Sequence, residues 1–485
     1  MPNLRKIKIE DLKKLPTTEL VSIILEQSAG LDFLMQQIQQ QQDRIIELEL
    51  LVAKLTKDSS NSSKPPSSDF HPPASHTRNS RTPSDKKSGG QPGHRGRTRQ
   101  STDTPDEIVT LAPDTCGDCG SNLQDASNQQ SQNTKVVSTA QAVDIPPIAP
   151  VITEYQKVSV TCTCGHTNEG QYPSFISPGG GIQIGPNISS FLVYMNTAHH
   201  IPYGRLQTIA SDLLNISISE GTVKNKLTVA AVAALPVQAD ILDVLHRSSW
   251  VGSDETGARV EGKRWWQWVW QNVRASYYTI SPSRGYQVIK QYFGESYKGS
   301  LIHDCLSAQN KTTAGGHQLC HAHLFRDCQF LIDTKGENAL WGYKMKQLLY
   351  RSQRTRGHCH KAGTDTKLQE LIIQDYQKQL AALLTWNLSG KESKKLQKRL
   401  LKHQDKLLYF MSSPDMPPDN NGSERAIRNA KIKQKISGGF RSEAGATRHA
   451  TLLSVIETAK KQDLNVLGVI HQLMMGEEVR LFGGE

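Results

Sequence analysis

The chain has 485 residues, a formal net charge of +11 and an isoelectric point near 9.1. Its length implies several domains, and its charge favours a polyanionic partner such as nucleic acid. No stretch approaches the roughly 18 apolar residues of a membrane span; the opening MPNLRKIKIEDLKKLP lacks the apolar core of a secretory leader; and eight cysteines in local groups argue for metal binding or free thiols in a reducing cytosol rather than for a disulfide framework.

Residues 1–57 read as an N-terminal helix and coiled coil. Leu31, Leu34, Ile38, Gln41, Ile45, Leu48, Val52 and Leu55 recur at alternating three- and four-residue steps, which keeps one mainly apolar seam along a helix. The seam predicts a homo-oligomer, with Gln41 as its single polar member; the competing reading is an amphipathic helix folded onto its own domain. Residues 58–105 are rich in Ser, Pro, Gly and basic residues, cannot bury a core, and read as a disordered linker. Within 78–100, Arg78, Arg81, Lys86, Lys87, Arg95, Arg97 and Arg99 stand against one Asp, a composition suited to lying along DNA phosphates.

Residues 106–175 hold CGDCG, with Cys116 and Cys119, and CTCGH, with Cys162 and Cys164. Two thiolates two residues apart can share one tetrahedral Zn²⁺, so a small zinc-finger-like module with structural zinc is expected. The second pair is tighter than usual, which leaves His166 as an alternative ligand. Residues 176–245 read as a helical, helix-turn-helix-like DNA-binding region. Leu206, Ile209, Ala210 and Leu213 line one helix face, Ser219 can cap the next helix, and Lys224, Asn225 and Lys226 stand on polar positions of that second helix, as on a recognition helix.

Residues 246–460 change to a strand-rich pattern. Strands are expected near 250–254, 264–272 and 276–281, then a helix, then strands at 299–305 and 317–320, with a helical, basic insertion at about 335–410. Three meandering strands, a helix and a fourth strand beside the first describe an α/β RNase H-like domain. Asp254 would end the first strand and Asp304 the fourth, at one sheet edge. Two carboxylates so placed repel each other unless a divalent cation lies between them, and Mg²⁺, or Mn²⁺, suits an all-oxygen site. Glu424, in the first turn of a helix starting at Asn420 or Ser423, is the candidate third acid. Arg425, Arg428, Lys431, Lys433 and Lys435 follow it and suit a surface that meets DNA. Two metals about 4 Å apart would support in-line displacement at a phosphodiester. His321 and His323 are candidates for site support. Trp266, Trp268 and Trp270 alternate and are expected in the core, with Trp265 facing the other way. A helical tail, 461–485, closes the chain.

Several segments together resemble the transposases of the insertion-sequence 66 family, which carry a DDE catalytic domain. They are NSSKPPSSD at 61–69, the paired cysteines, DETGARVEGKRWWQWVW, IHDCLSAQNK, LCHAHLFRD and NNGSERAIRNAKIKQKISGGFRSEAGATRHATLLSVIETAKKQ. The resemblance implies that Asp254, Asp304 and Glu424 are the metal-binding triad. It implies cleavage and strand transfer at the ends of a mobile element. Its partners would be double-stranded DNA (element ends and target) and accessory proteins encoded by the same element, in the cytoplasm at the nucleoid. Two other classes stay open from the residues alone: a sequence-specific DNA-binding regulator with an inactive nuclease-like fold, and an RNase H-like nuclease without strand transfer.

Overall fold

The computed structural model describes residues 16–58, 61, 93, 100–123, 135–177, 179, 181–334, 338–413 and 415–483. The basic cluster Arg78–Arg99 and the SSKPPSSD segment lie outside the described residues. The chain divides into two compact units, residues 73–151 and residues 1–72 with 152–485. In the smaller unit the described chain is largely extended. It contains the CGDCG turn, closed by a bridge between Thr115 and Asn122, by Cys116 N–H bonding Ser121 O at 2.9 Å and by Gly120 N–H bonding Cys116 O at 3.0 Å.

The larger unit begins with helix α1 (Thr17–Leu55). The apolar seam residues Leu31, Leu34, Ile38, Ile45, Leu48, Val52 and Leu55 are all exposed along it. Among the described residues α1 is anchored at its end: Ala53 is buried against the helical insertion, Lys54 pairs with Glu392 at 3.1 Å, and the Lys57 ammonium just beyond it sits 3.8 Å from the centre of the Phe330 ring. A short antiparallel hairpin, β1 (Ser159–Thr161) and β2 (Thr167–Glu169), carries CTCGH in its turn.

Four helices follow: α2 (Pro186–Thr197), α3 (Tyr203–Leu214), α4 (Glu220–Ala233) and α5 (Leu235–Arg247). Asn215, with φ of 50°, ends α3 in the left-handed region, and the Ser219 hydroxyl accepts Thr222 N–H at 3.1 Å to start α4. α3 and α4 thus occupy the expected helix-turn-helix stretch. The four helices share one hydrophobic core with the sheet, however: Leu206, Val223, Leu227, Ile241 and Leu245 pack in the same cluster as Val251, Trp268, Trp270 and Leu301. No packing break marks the expected boundary at 245, because α5 packs directly on the sheet and the C-terminal helices of the chain join the same core.

The sheet comprises β3 (Trp250–Val260), β4 (Lys263–Gln271), β5 (Ser276–Ser281), β6 (Ser296–His303) and β7 (Thr313–Leu319), in the spatial order β5-β4-β3-β6-β7. β3, β4 and β5 form an antiparallel meander; β6 pairs parallel with β3, and β7 parallel with β6. Helix α6 (Tyr286–Tyr292) makes the crossover to β6, and the short α7 (Ser307–Asn310) links β6 to β7. The expected order is therefore present, but β3 is longer than expected. It runs on to Val260 and turns through Glu261 and Gly262, both at positive φ, as a two-residue hairpin requires. Trp268 and Trp270 are buried and stacked, with ring centroids 5.8 Å apart, and Trp270 stacks on Phe293 at 5.4 Å; they form the core expected of them.

α8 (His321–Asp333), α9 (Ala339–Ala362), α10 (Thr366–Leu384) and α11 (Lys391–Lys402) pack around Trp341, Leu348, Leu400 and Phe410 to form the helical insertion. The chain then returns as α12 (Asn421–Ser437), α13 (Glu443–Lys461) and α14 (Val466–Met475). α13 lies along the edge strand β5. Its Ser454 hydroxyl accepts Tyr278 N–H at 2.9 Å and its Thr458 hydroxyl accepts Ser276 N–H at 3.1 Å, so the helix satisfies backbone groups that a bare edge would expose. Among the described residues no single helix is long and apolar enough to cross a membrane.

Candidate active site

Asp254 does not end its strand. It lies within β3, just beyond Trp250–Gly252, the residues paired with β6, while antiparallel pairing with β4 continues through it. Asp304 directly follows β6. The two acids therefore meet where β3 loses its parallel neighbour. Carboxylate oxygens of Asp254, Glu255 and Asp304 all lie within 4.8 Å of one another. The chain turns sharply after Asp304: Cys305 has a φ of 77°, and Asp304 Oδ1 accepts Leu306 N–H at 3.1 Å. A non-glycine residue held in the left-handed region at such a point is strain fixed by its surroundings.

Those surroundings include a histidine relay. His303 Nδ1 accepts Cys305 N–H at 3.1 Å, which leaves its Nε2 to donate to His317 Nδ1 at 3.0 Å; His317 Nε2 then donates to Thr312 O at 3.2 Å. Each ring is neutral in this scheme, consistent with burial holding both well below the usual imidazole range, His317 at about 4.

Burial, then the fields of Asp304 and Glu255, push the Asp254 carboxyl well above its ordinary range. Burial and the Asp304 field push Glu255 up to about 7, against the opposing pull of Arg284. Arg284 holds Glu255 Oε1 through Nε at 2.8 Å and Nη2 at 2.5 Å, and stands over Trp266 at 4.7 Å. Glu255 Oε2 is buried and has no partner. Sequence reasoning missed Glu255 because neighbouring side chains leave a strand on opposite faces; the DE pair at the point where β6 pairing stops was the available signal.

Glu424 stands in the first turn of α12, as expected, after Asn420. Its Oε2 is 3.5 Å from Arg326 Nη2 and its Oε1 is 3.6 Å from His323 Nδ1, both long contacts. Its ligand atoms group with those of Cys320 and His323, and its field reaches Asp254, raising that carboxyl. Of the other two, burial pushes the Cys320 thiol up to about 12, and its sulfur accepts Asn420 N–H at 3.1 Å. His323 is therefore beside Glu424, whereas His321 is committed elsewhere. His321 is fully buried against Phe410, with Nε2 at 2.7 Å from Leu407 O and Nδ1 at 2.8 Å from Gln353 Nε2.

A clamp fastens α12 to β3. Asn420 Nδ2 donates to Ser253 O at 2.7 Å, the Ser423 hydroxyl donates to Asn420 Oδ1 at 2.6 Å, and Gln271 Nε2 donates to Ser423 Oγ at 3.1 Å. Lys461 Nζ in turn holds Gln271 Oε1 at 2.8 Å. Backbones come close here: a Cβ on Gly252 would stand 2.5 Å from Asn420 Oδ1 and 2.7 Å from Ser423 Oγ. None of this clamp beyond the helix start was evident from the sequence, since it joins residues far apart in the chain.

The remaining candidates divide by surroundings. Hydrogen bonds from Ser121 and contact with Cys116 bring the Cys119 thiol down to about 7, and contact with Cys164 lowers Cys162. Each pair is thus brought together, with Cys119 and Cys162 favoured as thiolates. His166 lies in the same hairpin turn as the second pair and accepts Cys162 N–H through its backbone at 2.8 Å. The two pairs fall in different units. Lys224 and Asn225 are exposed on α4, but Lys226 is half-buried and donates to Ile184 O at 2.9 Å. On α12, Arg425, Arg428, Lys431 and Lys435 are exposed, whereas Lys433 turns inward and is 8% exposed.

Residues 181–448 match the sequence model of the family described as Transposase IS66 family, and residues 1–100 match a Family of unknown function (DUF6444). Two curated proteins of Sinorhizobium fredii (strain NBRC 101917 / NGR234) are similar to the chain. One, Uncharacterized protein y4jO, is 27% identical over 151 residues, covering 31% of this chain and 46% of that protein. The other, Uncharacterized protein y4hP, is 24% identical over 404 residues, covering 74% of this chain and 70% of that protein. The chain therefore spans less than half of the first relative and over two thirds of the second.

Proposed function

Because the chain belongs to the transposase IS66 family, we propose that it is a DNA transposase that cleaves the ends of an insertion sequence and transfers the freed strands to target DNA, on an RNase H-like catalytic sheet. The observation that carries the reading is the convergence of Asp254 and Asp304 at the end of β3–β6 pairing, with Glu424 clamped to the same strand. The group of Asp254, Glu255 and Asp304 fits a hard divalent cation: it is oxygen-only, mutually repelling, and has an unpartnered buried oxygen at Glu255, while Glu424, grouped with Cys320 and His323, carries another. Asp254, Asp304 and Glu424 would hold Mg²⁺ or Mn²⁺, which supplies charge neutralisation and a water of lowered pKa. The long contacts of Glu424 to His323 and Arg326 leave its carboxylate free to turn toward the other acids. Arg284 keeps Glu255 in place beside them, and exposed Arg425, Arg428 and Lys435 offer phosphate contacts along α12.

Two supporting roles belong to this reading. Cys116, Cys119, Cys162 and Cys164 bind structural zinc, with His166 as the alternative to one thiolate. The uncovered α1 seam pairs protomers, so that one complex holds two element ends. Metal content and sedimentation of the purified chain check both: bound zinc and a dimer or larger assembly are expected, and a zinc-free monomer removes them.

The test of function is a cleavage and joining assay on DNA flanking the gene, with Mg²⁺, Mn²⁺ or EDTA. Metal-dependent nicks at defined ends followed by joined products are expected. Nicks that never join make it a nuclease without strand transfer. Specific binding without nicks, even with the neighbouring gene products added, makes it a regulator.

A further inference from the structure

Lys433 is a cation without a counter-ion. It is 8% exposed and makes no hydrogen bond or ion pair among the described residues, and burial alone brings its ammonium down to about 8. His449, on α13, is 5% exposed, and neither of its ring nitrogens has a partner. Both line a cavity of about 570 Å³ bounded by the starts of α3, α4 and α13 and by the end of α12. Lys224, Arg441 and Arg448 also line it, against one carboxylate, Glu220. Arg448 is aimed across it by neutral partners only, with Nη1 at 3.2 Å from Thr228 Oγ1 and Nη2 at 3.5 Å from Tyr203 Oη.

Unpaired buried cations and unsatisfied ring nitrogens are costly to a fold, and here they share one cavity. Helix C-terminal turns line it as well as N-termini, so the positive character comes from the side chains rather than from helix dipoles. The volume exceeds what a lone anion needs and falls in the range of small-molecule sites. Glu424 and Lys433 lie near opposite ends of α12, roughly 14 Å apart along its axis. That corresponds to roughly four base steps of a DNA strand.

We propose that this cavity is a nucleotide-phosphate site, in which Lys433, Arg448 and His449 receive one phosphate and its nucleotide from a DNA strand whose reacting end lies at the acids. The assignment to a strand rests on the transposase reading; the phosphate chemistry does not.

Acetylation of Lys433, read by mass spectrometry on the full-length protein, tests it. The probes are a duplex oligonucleotide, deoxyadenosine monophosphate and inorganic phosphate, with duplex binding followed in parallel by anisotropy. With duplex at about ten times Kd, Lys433 modification should fall about tenfold. Lys433→Met and Arg448→Gln should each weaken duplex binding and lower the salt slope by about one. Protection by duplex alone supports a strand as the source; protection by the mononucleotide without duplex binding supports the cavity and removes the transposase reading. Duplex binding with Lys433 unprotected overturns the cavity proposal and leaves the transposase reading standing. Protection by no probe, without duplex binding, overturns both.

Discussion

Asp254→Asn is expected to abolish metal-dependent strand cleavage and, in EDTA, to melt above the unsubstituted protein. The loss of cleavage should reach at least ~10³-fold, the scale of removing one group that stabilises developing charge. The gain in stability follows from the site's electrostatics. Asp254 is buried beside Asp304 and Glu255, so its folded pKa is raised well above the ordinary carboxylate value. A raised folded pKa means stability that is full at low pH and lost as pH rises through that value. The advantage of the variant should therefore be near zero at pH 4 and largest near pH 8, at roughly 2–4 °C per kcal/mol of repulsion removed. Glu255, raised to about 7, costs parent and variant alike stability as pH rises between about 4.5 and 7. Mn²⁺ should raise the melting temperature of the parent and barely move the variant's. Glu424→Gln should also stop cleavage but bring no melting gain, because Glu424 is partly exposed and faces Arg326. Melting curves in EDTA and Mn²⁺ from pH 4 to 8, beside the cleavage assay, check this. A variant no more stable than the parent at pH 8, or one that still cleaves, would contradict the site.

The parts legible in the sequence are those set by local patterns. Alternation placed Trp266, Trp268 and Trp270 on one strand face, and the strand order followed from three strands, a helix and a fourth strand. Glu424 falls in the first turn of its helix, with Asn420 at the N-cap position although its side chain bonds Ser253 and Ser423 rather than capping the helix. What alternation could not show was where pairing stops. Asp254 was read as a strand end, yet β3 continues to Val260 because its hairpin with β4 outlasts its short parallel pairing with β6. The same break admits Glu255, which the sequence reading did not single out. Periodicity also marked α3 and α4 as helices without saying what they cover; they pack against each other and against α2, and α4 also against α13 and α14, within the core that the sheet shares. His321 and His323 are two residues apart at the start of α8, and only packing separates them. One is consumed by Leu407 and Gln353, and the other is left at Glu424. Among the basic residues of α12, charge alone could not distinguish exposed Lys435 from inward-facing Lys433.

Gly252→Ala is expected to cut cleavage by at least ~10²-fold, the scale of displacing a reacting group by about 1 Å, while leaving duplex binding nearly intact. The new Cβ would stand 2.5 Å from Asn420 Oδ1, 2.7 Å from Ser423 Oγ and 3.0 Å from Gln271 Nε2. These atoms belong to the clamp itself, and each is already hydrogen-bonded. They cannot swing aside without breaking that network, so α12 must shift from β3 and carry Glu424 away from Asp254. Overpacking of this kind costs about 1–3 kcal/mol. Asn420→Ala approaches the same contact from the opposite direction. It adds no bulk but leaves Ser253 O without its donor, for about 1–3 kcal/mol, and should lose cleavage comparably. Gly257→Ala, on the same strand with no atom within 4 Å of the added Cβ, should leave cleavage unchanged. Single-turnover cleavage at saturating DNA, with thermal melts, separates positioning from stability. If Gly252→Ala and Asn420→Ala lose activity only in proportion to unfolding at the assay temperature, the clamp is structural. If both remain folded and bind DNA yet fail to cut, the distance between α12 and β3 sets the geometry of the acids.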